Sequence, residues 1–192
     1  MLQLCNGLNK EKNMFTIEEI DPKIFRKKTR RATYIIMAIF AVFGFPLAYL
    51  SPIVFSELDI NPFILNFSGA LLGLFITFWI VKIFFVDKDW MKEAMYSWRL
   101  KRSLARLYNI LTPLKESVEN GDQEAMKVLR FYHLALEEMY QLENNSHGSI
   151  ELIAEKQAHE EKMKALNLDL NQITFDHEKH IEKYKKQTKD AK

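Results

Sequence analysis

Histidines at helical spacings are the side chains of this sequence that most resemble parts of a metal site. His133 and Glu137 lie four residues apart, which brings two side chains together on one helix face. The run from His159 to Met163 begins like the His-Glu-x-x-His helix of zinc peptidases but lacks the second histidine. His177 and His180 are three apart, a spacing that chance produces easily. No ligand set is complete, so we expect no metal and no cofactor, and a surface pair of His133 with Glu137.

Motifs of familiar enzyme classes are missing from the sequence. It has no phosphate-cradling glycine loop, no Gly-x-Ser-x-Gly elbow and no Cys-x-x-Cys pair. Its single cysteine, Cys5, cannot form an internal disulfide, which fits a reducing compartment. We therefore predict a protein that is not an enzyme. A membrane enzyme with an unrecognised site is the alternative, and its candidate residues are Arg99, Lys101, Arg102, Arg130 and His133.

Two long runs without a charged residue, residues 32–56 and 63–81, organise the chain. About 20 apolar residues in a helix cross the hydrocarbon core of a bilayer. In lipid each backbone polar group must bond within its own segment, so both runs are predicted to be helical. We predict two membrane spans at about 33–56 and 63–86, joined by a short acidic loop. Pro46 predicts a kink in the first helix, or an early end to it.

Positive charge flanks both runs and is absent from the loop between them. Lysines and arginines lie between Lys23 and Arg31 before the first run, and between Lys82 and Arg106 after the second. Because cytoplasmic segments retain Lys and Arg, both termini are predicted to be cytoplasmic, in a multi-pass protein of the inner membrane.

The sequence divides into three predicted parts. Residues 1–31 are a cytoplasmic arm, of which 1–13 are expected to be disordered. Residues 32–86 are the transmembrane hairpin, and residues 87–192 are a cytoplasmic helical domain with a frayed basic tail. The predicted fold class is all-α, a two-helix transmembrane hairpin followed by a small bundle of three or four helices. Its helices are predicted at 89–111, at 123–143 capped by Asp122, at 150–166 capped by Ser149, and from Asp176 to about 186.

Gly69 and Gly73 form a Gly-x-x-x-Gly spacing in the second run. Two glycines four apart make a groove that lets another helix approach closely. The groove is predicted to pack on the first span near Gly44, and the alternative is a homodimer.

A basic stripe follows the second run. Its members fall within about one quadrant of a helical wheel and are Lys88, Lys92, Arg99, Arg102 and Arg106. One interpretation is a solvated face that also sets the topology, and the other is contact with anionic lipid headgroups. Nucleic acid is disfavoured as a partner, because the net charge is only +2 and no nucleic-acid-binding motif is present.

Three stretches of the sequence resemble those of a bacterial family of small two-span inner-membrane proteins, classed as a domain of unknown function. They are Ile20-Asp21-Pro22 with Thr29-Arg30-Arg31, the stretch 96–104, and Gly121-Asp122 with 125–134. The resemblance covers about residues 14–168 and implies a bacterial inner membrane without implying an activity. Because it begins near Met14, that residue is an alternative translation start.

The leading hypothesis is a membrane-anchored scaffold or adaptor that presents a cytoplasmic helical domain to an unknown protein partner. The motivation is the absence of catalytic motifs beside well-patterned helix faces. The alternative from another class is a sensor of anionic lipid surfaces, which would act through the basic stripe.

Overall fold

The computed structural model describes residues 14–190, and over these residues the fold is all-α, as predicted. Two long apolar helices come first and a helical bundle follows. The predicted disorder of residues 1–13, the cysteine within them and the last two residues of the predicted frayed tail lie outside the described residues.

The first long helix, α1, spans Pro22–Val54. The Asp21 carboxylate accepts a hydrogen bond from the backbone N–H of Lys23 at 2.7 Å, and Pro22 takes the first helical position, where no N–H is needed. The helix continues past Pro46 and Pro52. Of the two outcomes predicted for Pro46, a kink or an early end, the early end is therefore wrong.

The second long helix, α2, spans Pro62–Ile80 and continues as a π-helical turn over Val81–Phe85. Its first turn is capped by the side-chain oxygen of Asn61, which accepts from the N–H of Phe63 at 2.9 Å. Both long helices are long and apolar enough to cross a membrane. Only 6% and 17% of their most apolar windows are buried, whereas the core helix of a water-soluble protein is mostly buried.

The backbones of α1 and α2 approach closely at the two glycines of α2. A Cβ added to Gly69 would lie 2.9 Å from the Cα of Ala48, and one added to Gly73 would lie 2.9 Å from the backbone N of Gly44. One turn further along α2, the buried Thr77 hydroxyl donates to the Gly73 carbonyl at 2.8 Å, which satisfies its polar group locally. Only a residue without a side chain fits at these two positions of α2.

By its internal contacts the chain separates into two compact units. One is Ile24–Tyr96, which includes most of α1 and all of α2. The other combines the segment before Ile24 with the segment that begins at Ser97. The domain boundaries drawn from the sequence stay a prediction.

A short antiparallel strand pair joins the two segments of the second unit. Strand β1, Met14–Thr16, pairs with strand β2, Thr174–Asp176, with Phe15 opposite Phe175. Both phenylalanines are buried against Phe131, at ring-centroid distances of 6.4 and 5.1 Å. These aromatic contacts hold together strands β1 and β2, which are far apart in the sequence.

The helices after α2 are α3 (Lys92–Tyr108), which begins in the first unit and ends in the second, and then α4 (Leu111–Glu119), α5 (Gln123–Glu143), α6 (Ser146–Ala165) and α7 (His177–Asp190). A 3-10 turn, Asp89–Met91, precedes α3. The single helix predicted over 89–111 is therefore shorter, and α4 is an additional helix with Pro113 in its first turn. Proline is tolerated there because the first N–H groups of a helix have no partner within it.

Helix α5 has the bounds and the cap that the sequence predicts. The Asp122 carboxylate accepts from the N–H groups of Glu124 and Ala125 at 2.8 and 3.2 Å. The start of α6 was predicted wrongly, because Asn145 and not Ser149 is its cap, accepting from the N–H of Gly148 at 3.1 Å.

Helix α7 begins at His177, with Asp176 accepting from the N–H of Lys179 at 3.2 Å as predicted, and it extends beyond its predicted end to Asp190. Lys183 of this helix bonds to Asp122 and Glu124 at 2.9 and 2.8 Å, which ties α7 to the start of α5.

Replacing Gly69 or Gly73 by alanine is expected to destabilise the packing of α1 on α2 by about 1–3 kcal/mol, because the new Cβ meets backbone atoms that cannot move aside. The matched control is Gly44→Ala, whose Cβ would meet the Phe40 ring, which can rotate. Reversible unfolding in mixed micelles measures the cost. Equal costs for all three variants would contradict the packing described for this pair of helices.

Candidate functional site

The structure divides the predicted basic stripe into two parts. Lys92 pairs with Asp89 at 2.7 Å, both side chains being mostly exposed, and this pairing lowers the pKa of the Asp89 carboxyl. Lys88 lies outside α3, directly before the 3-10 turn Asp89–Met91. The other three members, Arg99, Arg102 and Arg106, follow one another along one face of α3 at spacings of three and four residues.

The three arginines line one cavity of about 310 Å³. Its other walls come from strand β1 and from the start of α7, so it forms only when the two distant segments of the chain meet. We call it the arginine pocket, and its lining residues are Phe15, Trp98, Arg99, Arg102, Ser103, Arg106 and His177.

Within the described residues, no carboxylate lies within 4.0 Å of any of these three arginines. The guanidinium of Arg102 instead lies 4.9 Å from the ring centroid of the half-exposed Trp98. Among the described residues of the same unit, Lys127, Lys162, Lys164 and Lys185 likewise have no carboxylate within 4.0 Å, but they do not share one pocket. Six other cations have carboxylate partners, and these are Lys101, Lys115, Arg130, Lys156, Lys179 and Lys183. The arginine pocket therefore gathers three guanidinium groups that form no ion pair with any residue that the structure describes.

Ser103 and His177 connect α3 to α7 at one wall of the pocket. The Ser103 hydroxyl donates to the Arg99 carbonyl at 2.9 Å and lies 3.0 Å from Nε2 of His177. Because the hydroxyl has one hydrogen, Nε2–H is the donor in the second contact. Burial, together with the positive charges of Arg106 and Arg102, lowers the pKa of His177 to about 4, although Asp176 raises it. His177 is therefore neutral near pH 7.

The other candidates for chemistry lie in the interior of the helical unit. Arg130 is 7% exposed, bonds to Glu160 at 2.6 Å and donates from Nε to the Leu170 carbonyl at 3.0 Å. This arrangement holds together α5, α6 and the segment after α6. No group of three or more potential metal ligands occurs among the residues the structure describes.

The predicted surface pair of His133 with Glu137 is wrong. His133 is fully buried, and Glu137 pairs with Lys156 at 2.5 Å. Burial lowers the pKa of His133 to about 4, and its Nε2 lies 3.6 Å from Glu155, too far for a hydrogen bond. The cause of the error is that α5 packs against α4, α6 and β2, so more than one of its faces is covered.

Sequence reasoning found the three arginines of the pocket but missed three of the residues around them. Ser103 could have been found, since it lies one turn after Arg99 on the same helix. Phe15 and His177 could not, because only the pairing of β1 with β2 brings their segments together.

Comparison with known proteins gave one match. A family model described as "Protein of unknown function (DUF3087)" matches residues 15–179. Searches of curated proteins and of solved structures found no significant match.

Arg130→Gln is expected to destabilise the helical unit by about 3–5 kcal/mol, because it leaves the Glu160 carboxylate without its cation in a largely buried place. Lys115→Gln is the matched control. It breaks a pair with Glu155 that is about half exposed, and its cost is expected to be about 1 kcal/mol or less. Urea unfolding of the full chain in detergent, followed by circular dichroism, measures both. Similar costs for the two variants would contradict the structural role assigned to Arg130.

Proposed function

The chain belongs to the DUF3087 family of unknown function, and we propose that it is a two-span protein of a bacterial inner membrane that holds a helical scaffold in the cytoplasm. In this proposal α1 and α2 are the spans, and both termini are cytoplasmic. The helical unit after the spans recruits or positions a protein partner, without catalysing a reaction.

The observation that carries the proposal is the exposure of large apolar side chains along α1 and α2. Phe45, Phe63 and Phe75 are each more than 60% exposed. Transfer of such surface from water to an apolar medium is favourable by about 25 cal/mol per Å². Two helices that expose this much apolar surface are therefore stable in lipid and unfavourable in water.

The flanking charge supports the orientation. Lysines and arginines stand before α1 and after α2, and none stands in the loop between them. A homodimer stays a prediction. In the fold described above, α1 occupies the groove at Gly69 and Gly73, so a second copy would need a different surface.

Exposed apolar residues on the helical unit are where we place the partner. Ile150 and Ile153 of α6 are three residues apart and both are exposed, as is Tyr108 at the end of α3. Neighbouring exposed apolar side chains are common where proteins bind one another.

Photo-crosslinking in living cells tests the scaffold. A photoreactive residue at Ile150 or Ile153 of the full chain is expected to capture one and the same protein, which mass spectrometry identifies. The control position is the exposed Lys127 of α5. Capture of a second copy of this chain from the apolar positions would support a homodimer. The same background of adducts from all three positions would contradict the scaffold.

A second candidate function is the binding of an anionic lipid surface through the basic stripe. The specific observation in its favour is the set of uncompensated arginines beside Trp98. Tryptophan rings and arginine side chains are both favoured at the headgroup level of a bilayer.

A further inference from the structure

We propose that the arginine pocket is a binding site for a phosphate monoester, with Arg99, Arg102 and Arg106 as its cationic ligands. The proposal deepens the second candidate function, the binding of an anionic lipid surface. It rests on that function where the phosphate monoester belongs to a lipid headgroup, which is one of two sources. The other source is a small water-soluble phosphate ester.

The charge of the pocket is the first reason. Like charges three or four residues apart on a helix destabilise it, and here three guanidinium groups follow one another at these spacings. Among the described residues, none of the three has a carboxylate within 4.0 Å, and Glu182 shares only the lining of a neighbouring cavity with Arg106. A bound anion would supply the missing negative charge.

The chemistry of the side chains is the second reason. A guanidinium presents its N–H donors in a planar fork that matches two oxygens of a phosphate, and each such bond is charge-assisted. A phosphate monoester has three oxygens free of the ester bond, so it can accept from more than one arginine at a time.

The space around the arginines is the third reason. The pocket has a volume of about 310 Å³, and Arg106 and His177 also line a second cavity of about 730 Å³. Ile110 and Ile181 give this second cavity an apolar wall. The first cavity suits the phosphate, and the second has room for the organic part of the ester.

His177 reports whether the pocket is occupied. The charged groups with the largest effect on its pKa are Arg102 and Arg106 of α3, Asp176 of β2 and His180 of α7. Arg99, Glu182 and Lys185 also line the cavities that His177 faces. The two arginines lower the pKa of His177, so a bound phosphate that offsets their charge must raise it. At a pH between the pKa of His177 in the free protein and its higher pKa in the phosphate-bound protein, phosphate binding is therefore coupled to protonation of His177.

The experiment uses the full chain in nanodiscs. In the first arm the discs contain phosphatidylcholine only, and inorganic phosphate is titrated at constant ionic strength by calorimetry. In the second arm the discs mix phosphatidylcholine with phosphatidic acid. In both arms the pKa of His177 is followed by NMR of labelled histidine, with the resonance assigned by its loss in His177→Gln.

Arg102→Gln and Arg106→Gln are each expected to weaken phosphate binding by about tenfold or more, as expected for the loss of a hydrogen bond to a charged group. Each variant should also raise the pKa of His177 before any anion is added, and reduce the further rise on binding. The matched control is Lys101→Gln, which removes a charge from the same helix outside the pocket, where Lys101 pairs with Glu143. This control is expected to bind phosphate like the unmodified chain.

The two arms separate the sources of the phosphate. If inorganic phosphate raises the pKa of His177 and phosphatidic acid does not, the result supports the pocket and identifies its ligand as a soluble phosphate ester. The same result contradicts the lipid-surface function. A response to phosphatidic acid supports the pocket and the lipid-surface function together.

The pocket is overturned if neither arm moves the pKa of His177. It is also overturned if the two arginine variants bind phosphate as well as Lys101→Gln does. In that case the lipid-surface function can still be tested separately. If the chain retains anionic lipid in a salt-sensitive way, and Lys88→Gln and Lys92→Gln reduce this retention, the lipid-surface function holds without the pocket.

Discussion

Two helix backbones come together at Gly69 and Gly73, and the pairing of α1 with α2 depends on this close approach. Within lipid, apolar side chains gain nothing by leaving one apolar medium for another. A pair of helices is therefore held by van der Waals contact between surfaces that fit. Glycine allows such contact because it places no Cβ between the two backbones. The same constraint explains why α1 and α2 can expose their large side chains outward while their facing surfaces remain small.

The helical unit differs from the pair of long helices, because ion pairs between charged side chains help to hold its elements together. Lys183 bridges Asp122 and Glu124, and Arg130 is joined to Glu160, so the ion pairs lie between elements that must stay together. Exposed pairs of this kind contribute little each, whereas a largely buried pair is costly to break. Against this pattern the three arginines of the pocket stand out, and they are the basis for assigning a ligand to this surface.

Local signals in the sequence predicted much of the fold and the three arginines of the candidate site, but not the residues that complete its walls. Asp122 and Asp176 marked two helix starts correctly, because caps depend on neighbouring residues alone. The two long uncharged runs likewise predicted the two long helices correctly. His133 was assigned to the wrong face, because a helical wheel assumes one buried side and α5 has more than one. The pairing of Phe15 with Phe175, and with it the wall of the arginine pocket, depends on segments that local patterns cannot bring together.

The orientation of the two long helices is the central claim, and paired reporter fusions test it most directly. Alkaline phosphatase folds into an active enzyme outside the cytoplasm, and green fluorescent protein fluoresces when it folds within it. The account predicts that a fusion at Asn61, in the loop between α1 and α2, gives phosphatase activity without fluorescence. A fusion after Lys192 should give fluorescence without phosphatase activity. Fluorescence from both positions, with the chain in the supernatant after ultracentrifugation, would contradict the account.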